Sequence, residues 1–267
     1  MTTKILALLS AGLAILAAAT AGPSSSPFGQ GYINTPAGEE SLILSPPPPA
    51  AGSAALARDE EAQRAALALQ GTPRWDLARR DADLFLPTAT GTMTCAAGIN
   101  ISAENTPLTH ALLRRAAADL GMSTGAIKRH YMRQRPFMVN NQPICTPEAE
   151  SVLRRDGSYP SGHAAIGYGW GLLLAELLPN RANQLVARGR AFADSRRVCN
   201  VHWLSDTEEG RNAGAAVVAR LHAIPAFQND MRAAARELAR AASRPGALPD
   251  CAAEAAALAL TNGTPAP

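Results

Sequence analysis

From Arg58 onward, apolar residues recur every three or four positions, and nowhere does the chain sustain the apolar–polar alternation of a half-buried strand. Thr106-Pro107 is a helix start with Thr as N-cap and Pro in the first turn, followed by Leu108, Leu112, Leu113, Ala116 and Leu120 at helical spacing. Gly121 ends that run. Thr146-Pro147 repeats the start, with Gly157 as the stop. The same signals predict helices over 58–69, 73–86, 162–178, from Asn180 to about Asp194, 202–221, 225–242, and a short last one capped by Asp250. Alanine is abundant and aromatic residues make up only 4% of the chain, a balance that favours helix over sheet. The expected fold class is all-α: a single-domain helical bundle over 58–267.

The first 57 residues are different. Lys4, the apolar run from Ile5 to Ala19, and the small-x-small sequence Ala19-Thr20-Ala21 read as a signal peptide over 1–21. Residues 22–57 read as an extended proline-rich arm or linker, since the run Pro46 to Pro49 cannot be helical. No later segment is long and apolar enough to span a bilayer; 166–178 comes nearest and carries Glu176. The mature chain is expected to be periplasmic or secreted, without stable membrane insertion. Four cysteines follow the leader: Cys95, Cys145, Cys199 and Cys251. An even number in an exported chain suggests two disulfides, and their spacing fits no zinc motif. Three connectivities are open. Pairing Cys145 with Cys199 would tie pocket-building loops together, and Cys95 with Cys251 would hold down the C-terminus.

Charge excludes some classes and marks one position. The net charge is +3, without a Lys/Arg block, so nucleic acid and anionic membranes have no footprint. Of 25 basic residues only Lys4 and Lys128 are lysines, so Lys128 is the sole lysine after the leader. A lone Lys among arginines can mark a site that needs a compact ammonium.

Around Lys128 an ordered set appears: Arg135-Pro136, then Gly157 to His163, then Ser195-Arg196, His202 and Asp206. Lys128, Arg135 and Arg196 supply three cations for a phosphoryl group. Ser161 offers a hydroxyl, and the amides of Gly162 and His163 lie at a predicted helix start, where free N–H groups favour an anion. His202 and Asp206, four apart, would share a helix face. Asp206 could then orient His202 for nucleophilic attack, while His163 protonates the leaving oxygen. No carboxylate cluster suits a divalent metal, so no metal or other cofactor is expected.

The pattern Lys128-x6-Arg135-Pro136, Pro160-Ser161-Gly162-His163 and Ser195-Arg196-x5-His202-x3-Asp206 resembles the three-part signature of the type 2 phosphatidic acid phosphatase superfamily. Gly157 to His163 and Cys199 to Asp206 resemble more closely the class A bacterial non-specific acid phosphatases. The resemblance spans roughly 60–245. It implies an all-helical, exported, metal-independent phosphomonoesterase with an acidic optimum, acting on small phosphomonoesters, binding inorganic phosphate and forming a homo-oligomer. It makes His202 the nucleophile, forming a phosphohistidine, with His163 the general acid and Asp206 the residue that orients His202. Lys128, Arg135, Ser161, Gly162 and Arg196 become the phosphate ligands. Two positions depart from the class A pattern: Ala164 where Thr is common, and Asn200 where Gly is common. A vanadium-dependent haloperoxidase, whose vanadate site resembles this one, and a lipid phosphatase are the alternatives.

Overall fold

The computed structural model describes residues 28–33, 39–243 and 246–260. The expected signal peptide, 1–21, lies outside them. Among the described residues there is no strand. The α-helices are α1 (Ala54–Leu67), α2 (Pro73–Asp81), α3 (Thr94–Ala97), α4 (Pro107–Met122), α5 (Gly125–Tyr131), α6 (Pro136–Asn140), α7 (Glu150–Leu153), α8 (Gly162–Leu177), α9 (Ala182–Val198), α10 (Leu204–Leu221), α11 (Pro225–Ala242) and α12 (Cys251–Ala259). The all-α expectation is met.

Helix α8 is the axis of the bundle. It packs on α9, α10 and α4, and α11 packs on α4 and touches α8 as well. Its Trp170 is buried, and the indole N–H donates to the Leu113 carbonyl of α4 at 2.8 Å. Close approach to α10 depends on small residues. A Cβ at Gly210 would stand 2.4 Å from the Ser161 carbonyl oxygen and 2.8 Å from the Cβ of Ala164. A larger side chain at Ala164 would have to share that space, so the alanine found there fits the packing.

Several helix ends differ from expectation, each for a visible reason. Helix α1 begins at Ala54 because Ser53 caps it, accepting from the Leu56 amide at 3.1 Å. Helix α2 stops at Asp81 instead of running to 86. The Asp83 carboxylate accepts from the amides of Phe85 and Leu86, at 3.2 and 3.3 Å, and turns the chain. At α4 the Thr106 side chain makes no cap bond. The Glu237 carboxylate of α11 caps instead, taking the amides of Leu108 and Thr109 at 2.9 and 2.8 Å. Thr146-Pro147 yields only a 3-10 turn (Pro147–Ala149) and the single turn of α7. The carbonyls of Leu153 and Asp156 are drawn aside to Nε of Arg135, at 2.9 and 3.1 Å. Helix α10 starts at Leu204, leaving His202 in the turn before it.

The arm docks on the body. Asp119 of α4 accepts the amides of Tyr32 and Ile33 at 2.7 and 3.1 Å. The Tyr32 hydroxyl donates to Asp230 at 2.7 Å, and the Arg115 guanidinium lies 3.9 Å from the centre of the Tyr32 ring. Further along, the Tyr159 hydroxyl donates to the Pro46 carbonyl at 2.6 Å. Both cysteine pairs, Cys95–Cys251 and Cys145–Cys199, are at disulfide distance, with Cα separations of 5.4 and 4.8 Å. No helix among the described residues is long and apolar enough to cross a membrane.

Candidate active site

Lys128, Arg135, Gly162, His163, Arg196 and His202 line one cavity of about 290 Å³. Five structural elements deliver them, the fifth being the turn before α10 that carries His202. Lys128 is in the last turn of α5 and Arg135 precedes α6. Gly162 and His163 open α8, and Arg196 is in the last turn of α9. Ser161 and Asp206 are fully buried behind the cavity wall, with the Ser161 amide donating to the Asp206 carbonyl at 2.9 Å. Ser161 caps α8, accepting from the Ala164 amide at 3.2 Å, and neither it nor Asp206 is among the residues lining the cavity.

The cations are not equivalent. Arg135, 1% exposed, spends its donors on the protein: the carbonyls of Leu153, Asp156 and Val201, the Asp156 carboxylate, and Nε2 of His202. Arg196 is also buried, yet its Nε and Nη1 have no hydrogen-bond partner among the described residues. A desolvated guanidinium with unsatisfied donors creates strong demand for an anion. Lys128 donates to Asp156 at 3.0 Å and closely to the Gly157 carbonyl. Burial, and then the neighbouring Arg135, push its ammonium down to about 8.

The two histidines point their working nitrogens by different means. His163 Nε2 lies 2.9 Å from the Ala82 carbonyl. That carbonyl can only accept, so Nε2 carries the proton and Nδ1 is left for chemistry. On His202, Nε2 accepts from Arg135 at 3.1 Å, which assigns its proton to Nδ1. Nδ1 faces Oδ2 of Asp206 at 3.4 Å, without the alignment of a hydrogen bond. Burial first, then nearby cations, hold both imidazoles well below the usual histidine range, through Arg196 at His163 and Arg135 at His202. Both shifts come first from burial and then from the pocket's positive charge, and a phosphoryl dianion would offset the second.

Asp206 is held from the other side. Its Oδ2 accepts the Trp203 amide at 2.8 Å, which places it at the third position of α10. Its Oδ1 accepts from Arg133 at 2.7 Å. Arg133 in turn pairs with Asp59 of α1 at 2.7 Å, and Asp59 also accepts the amide and hydroxyl of Ser205. Burial pushes the Asp206 carboxyl up, and Arg133 is the largest influence opposing it. The sequence analysis missed Arg133, Asp59 and the Ala82 carbonyl. Arg133 had one available signal, since it lies two residues before Arg135. Asp59 and Ala82 had none.

Asn200, where the class A pattern has glycine, has φ 61°. Asparagine tolerates this left-handed conformation better than most residues. Its fully buried amide bonds to Gln63, Asn140, and the carbonyls of Gln142 and Pro143, so it anchors the turn that carries His202. Among the described residues, no group of three or more His, Cys, Asp or Glu side chains is placed to hold a metal ion.

Known proteins resemble this chain over most of its length. A family model described as the PAP2 superfamily matches residues 109–230. The non-specific acid phosphatase of Salmonella typhimurium is 39% identical over 199 residues, covering 74% of this chain and 80% of that protein. An acid phosphatase of Zymomonas mobilis is 39% identical over 185 residues, covering 69% and 70% respectively. The non-specific acid phosphatase of Providencia stuartii is 33% identical over 210 residues, covering 78% and 85%.

Proposed function

We propose that this chain, which belongs to the PAP2 superfamily and is a non-specific acid phosphatase, hydrolyses phosphomonoesters in two steps through a phosphohistidine on His202. The observation that carries this reading is the orientation of His202: Nδ1 toward Asp206, and Nε2 toward the cations of the cavity.

The phosphoryl oxygens bind Arg196, Lys128, Arg135, the Ser161 hydroxyl and the amides that open α8. In the first step a phosphoryl oxygen takes the Arg135 donor from Nε2 of His202, the freed Nε2 lone pair attacks phosphorus, and the bond to the leaving oxygen breaks. The protonated Nδ1 of His163 gives that oxygen its proton, while the Ala82 carbonyl keeps the ring in place. Asp206 stabilises the positive charge that develops on His202. In the second step water attacks phosphorus, His163 takes a proton from that water, the N–P bond breaks and inorganic phosphate leaves. Three protein cations answer the phosphoryl charge, so the chemistry needs no metal. The two cysteine pairs support action in an oxidising compartment after export. The relatives that match are named as phosphatases, and no feature of the site favours halide oxidation or a lipid substrate over that reading.

Rapid acid–base quenching tests the covalent step. Acid-labile, base-stable phosphate should appear on His202 during turnover, and His202→Ala should abolish both label and turnover. Full activity in that variant overturns the assignment. Activity lost on chelation and restored only by a divalent ion overturns metal independence.

A further inference from the structure

Of the pair Ser195-Arg196, Arg196 lines the cavity and Ser195 does not. The Ser195 side chain is fully buried and engaged with α2. Its hydroxyl donates to Oδ2 of Asp81, the last residue of α2, at 2.6 Å, and accepts from Nη1 of Arg74 at 3.0 Å. Asp81 is fully buried as well, and its two oxygens accept from Arg188 at 2.6 and 3.1 Å. Arg188 also donates to Glu254 of α12 at 3.2 Å. Buried polar groups that satisfy one another in this way hold their members in one arrangement.

Both ends of the Ser195–Asp81 bond lead to the reaction. The residue after Ser195 is Arg196, whose Nε and Nη1 have no partner among the described residues. The residue after Asp81 is Ala82, whose carbonyl fixes Nε2 of His163 at 2.9 Å and so sets the direction of Nδ1. The bond thus lies one peptide from a phosphate ligand and one peptide from the support of the general acid. From this connectivity, and resting on the assignment of His163 as the acid, we infer that Ser195 and Asp81 are positioning residues. They hold the Arg196 guanidinium and the His163 imidazole in register across the phosphoryl group.

Two further observations agree. Arg188 and Ser195, seven apart, share the face of α9 that meets α2, and of the two only Ser195 adjoins Arg196. The other polar tie between these helices, from Nη2 of Arg74 to the Ala191 carbonyl at 3.0 Å, lies a turn earlier on α9. Asp81 also contributes charge. Burial, and then Arg135, push the Arg196 guanidinium down to about 9, and Asp81 is the influence that opposes them.

The test uses two readouts that a smaller folded fraction does not move. One is the inhibition constant for inorganic phosphate, which reports on Arg196. The other is the ratio of kcat/KM for hexyl phosphate to that for dinitrophenyl phosphate, which reports on His163. Ser195→Ala removes the hydroxyl and keeps the Arg188–Asp81 pair. It should weaken phosphate inhibition about fivefold, the usual size of one hydrogen bond, and lower the ratio about fivefold. Asp81→Asn also removes the charge near Arg196, and both changes should be larger; should it fail to fold, Ser195→Ala decides alone. Glu237→Gln loosens the cap at the end of α4 away from the cavity, so it should lower thermal stability and leave both readouts at parent values. Unchanged phosphate inhibition in Ser195→Ala overturns the inference, as does movement of both readouts in Glu237→Gln. His163→Asn is measured alongside. If it lowers the ratio and Ser195→Ala does not, the joint role is overturned. If His163→Asn leaves the ratio unchanged, the acid assignment has failed instead, and the inhibition constant alone decides whether Ser195 and Asp81 position Arg196.

Discussion

The carboxylate of Asp156 sits 3.0 Å from Nζ of Lys128, and the same oxygen lies 2.9 Å from Nη2 of Arg135. A single anionic oxygen thus bridges two of the three cations assigned to the phosphoryl group. Asp156 is 48% exposed at its side chain and can swing away, while Arg135 cannot. A phosphate that takes both cations would have to displace it. Asp156→Asn should therefore strengthen inhibition by inorganic phosphate, by about fivefold, in keeping with a solvent-screened pair worth about 1 kcal/mol. Inhibition constants measured side by side check this. Weaker inhibition would mean that Asp156 positions the cations more than it competes for them.

Two pH limbs follow from the shifts in the pocket. His202 must be neutral to attack, and its lowered value keeps it neutral well below pH 6.5. His163 must be protonated to act, and its lowered value means that proton is lost as pH rises, beginning below 6.5. Both shifts move the optimum to the acid side. Lys128 stays charged up to about pH 8 and loses its charge above that. For an alkyl phosphate, kcat/KM should already be falling below pH 6.5. For dinitrophenyl phosphate, which needs no proton, activity should persist until Lys128 titrates near pH 8. In Lys128→Arg that last fall should move to higher pH, because a guanidinium keeps its proton.

Leaving groups separate the two histidines. His163→Asn should slow alkyl phosphate hydrolysis on the order of 10²–10⁴-fold, the usual contribution of a positioned acid, and dinitrophenyl phosphate far less. His202→Ala should slow both alike. A series of leaving groups of graded acidity gives the slope. An equal loss across the series for His163→Asn would make His163 a phosphate ligand only.

Arg133 stands between two buried carboxylates, Asp59 and Asp206. Arg133→Gln leaves both without a cation and should cost about 3–5 kcal/mol of stability, as for other broken buried pairs. Adding Asp206→Asn removes one of the stranded charges. The double variant should therefore lose less than the two single losses added together, with a coupling of about 0.5–3 kcal/mol. Urea unfolding of the four proteins measures it. Strict additivity would deny the link.

Helices and cavity residues were legible in the sequence for the same reason: both are written in side chains at short, regular spacing. Lys128, Arg135, Gly162, His163, Arg196 and His202 do line one cavity. The supports around them were not legible. Ala82 contributes only a carbonyl, which any residue could supply. Asp59 reaches Ser205 across 146 positions, so no local pattern announces it. Asp206 was expected to share a helix face with His202. It instead caps the helix that His202 precedes, because its carboxylate takes the Trp203 amide. The arm read as linker because proline excludes helix, and its contacts through Tyr32, Asp119 and Tyr159 depend on partners far along the chain.

The Cys145–Cys199 pair joins the segment after α6 to the turn that carries His202, and the Cys145 amide also donates to the Cys199 carbonyl. A crosslink of this kind closes only where thiols are oxidised. For a chain made among reduced thiols and then exported, the clasp beside the nucleophile is fastened last. In such a chain full rigidity would arrive only after export, away from the phosphomonoesters of the compartment in which it was made. One covalent bond would thereby tie the maturation of a broad-specificity hydrolase to its address, and spare the cell that makes it.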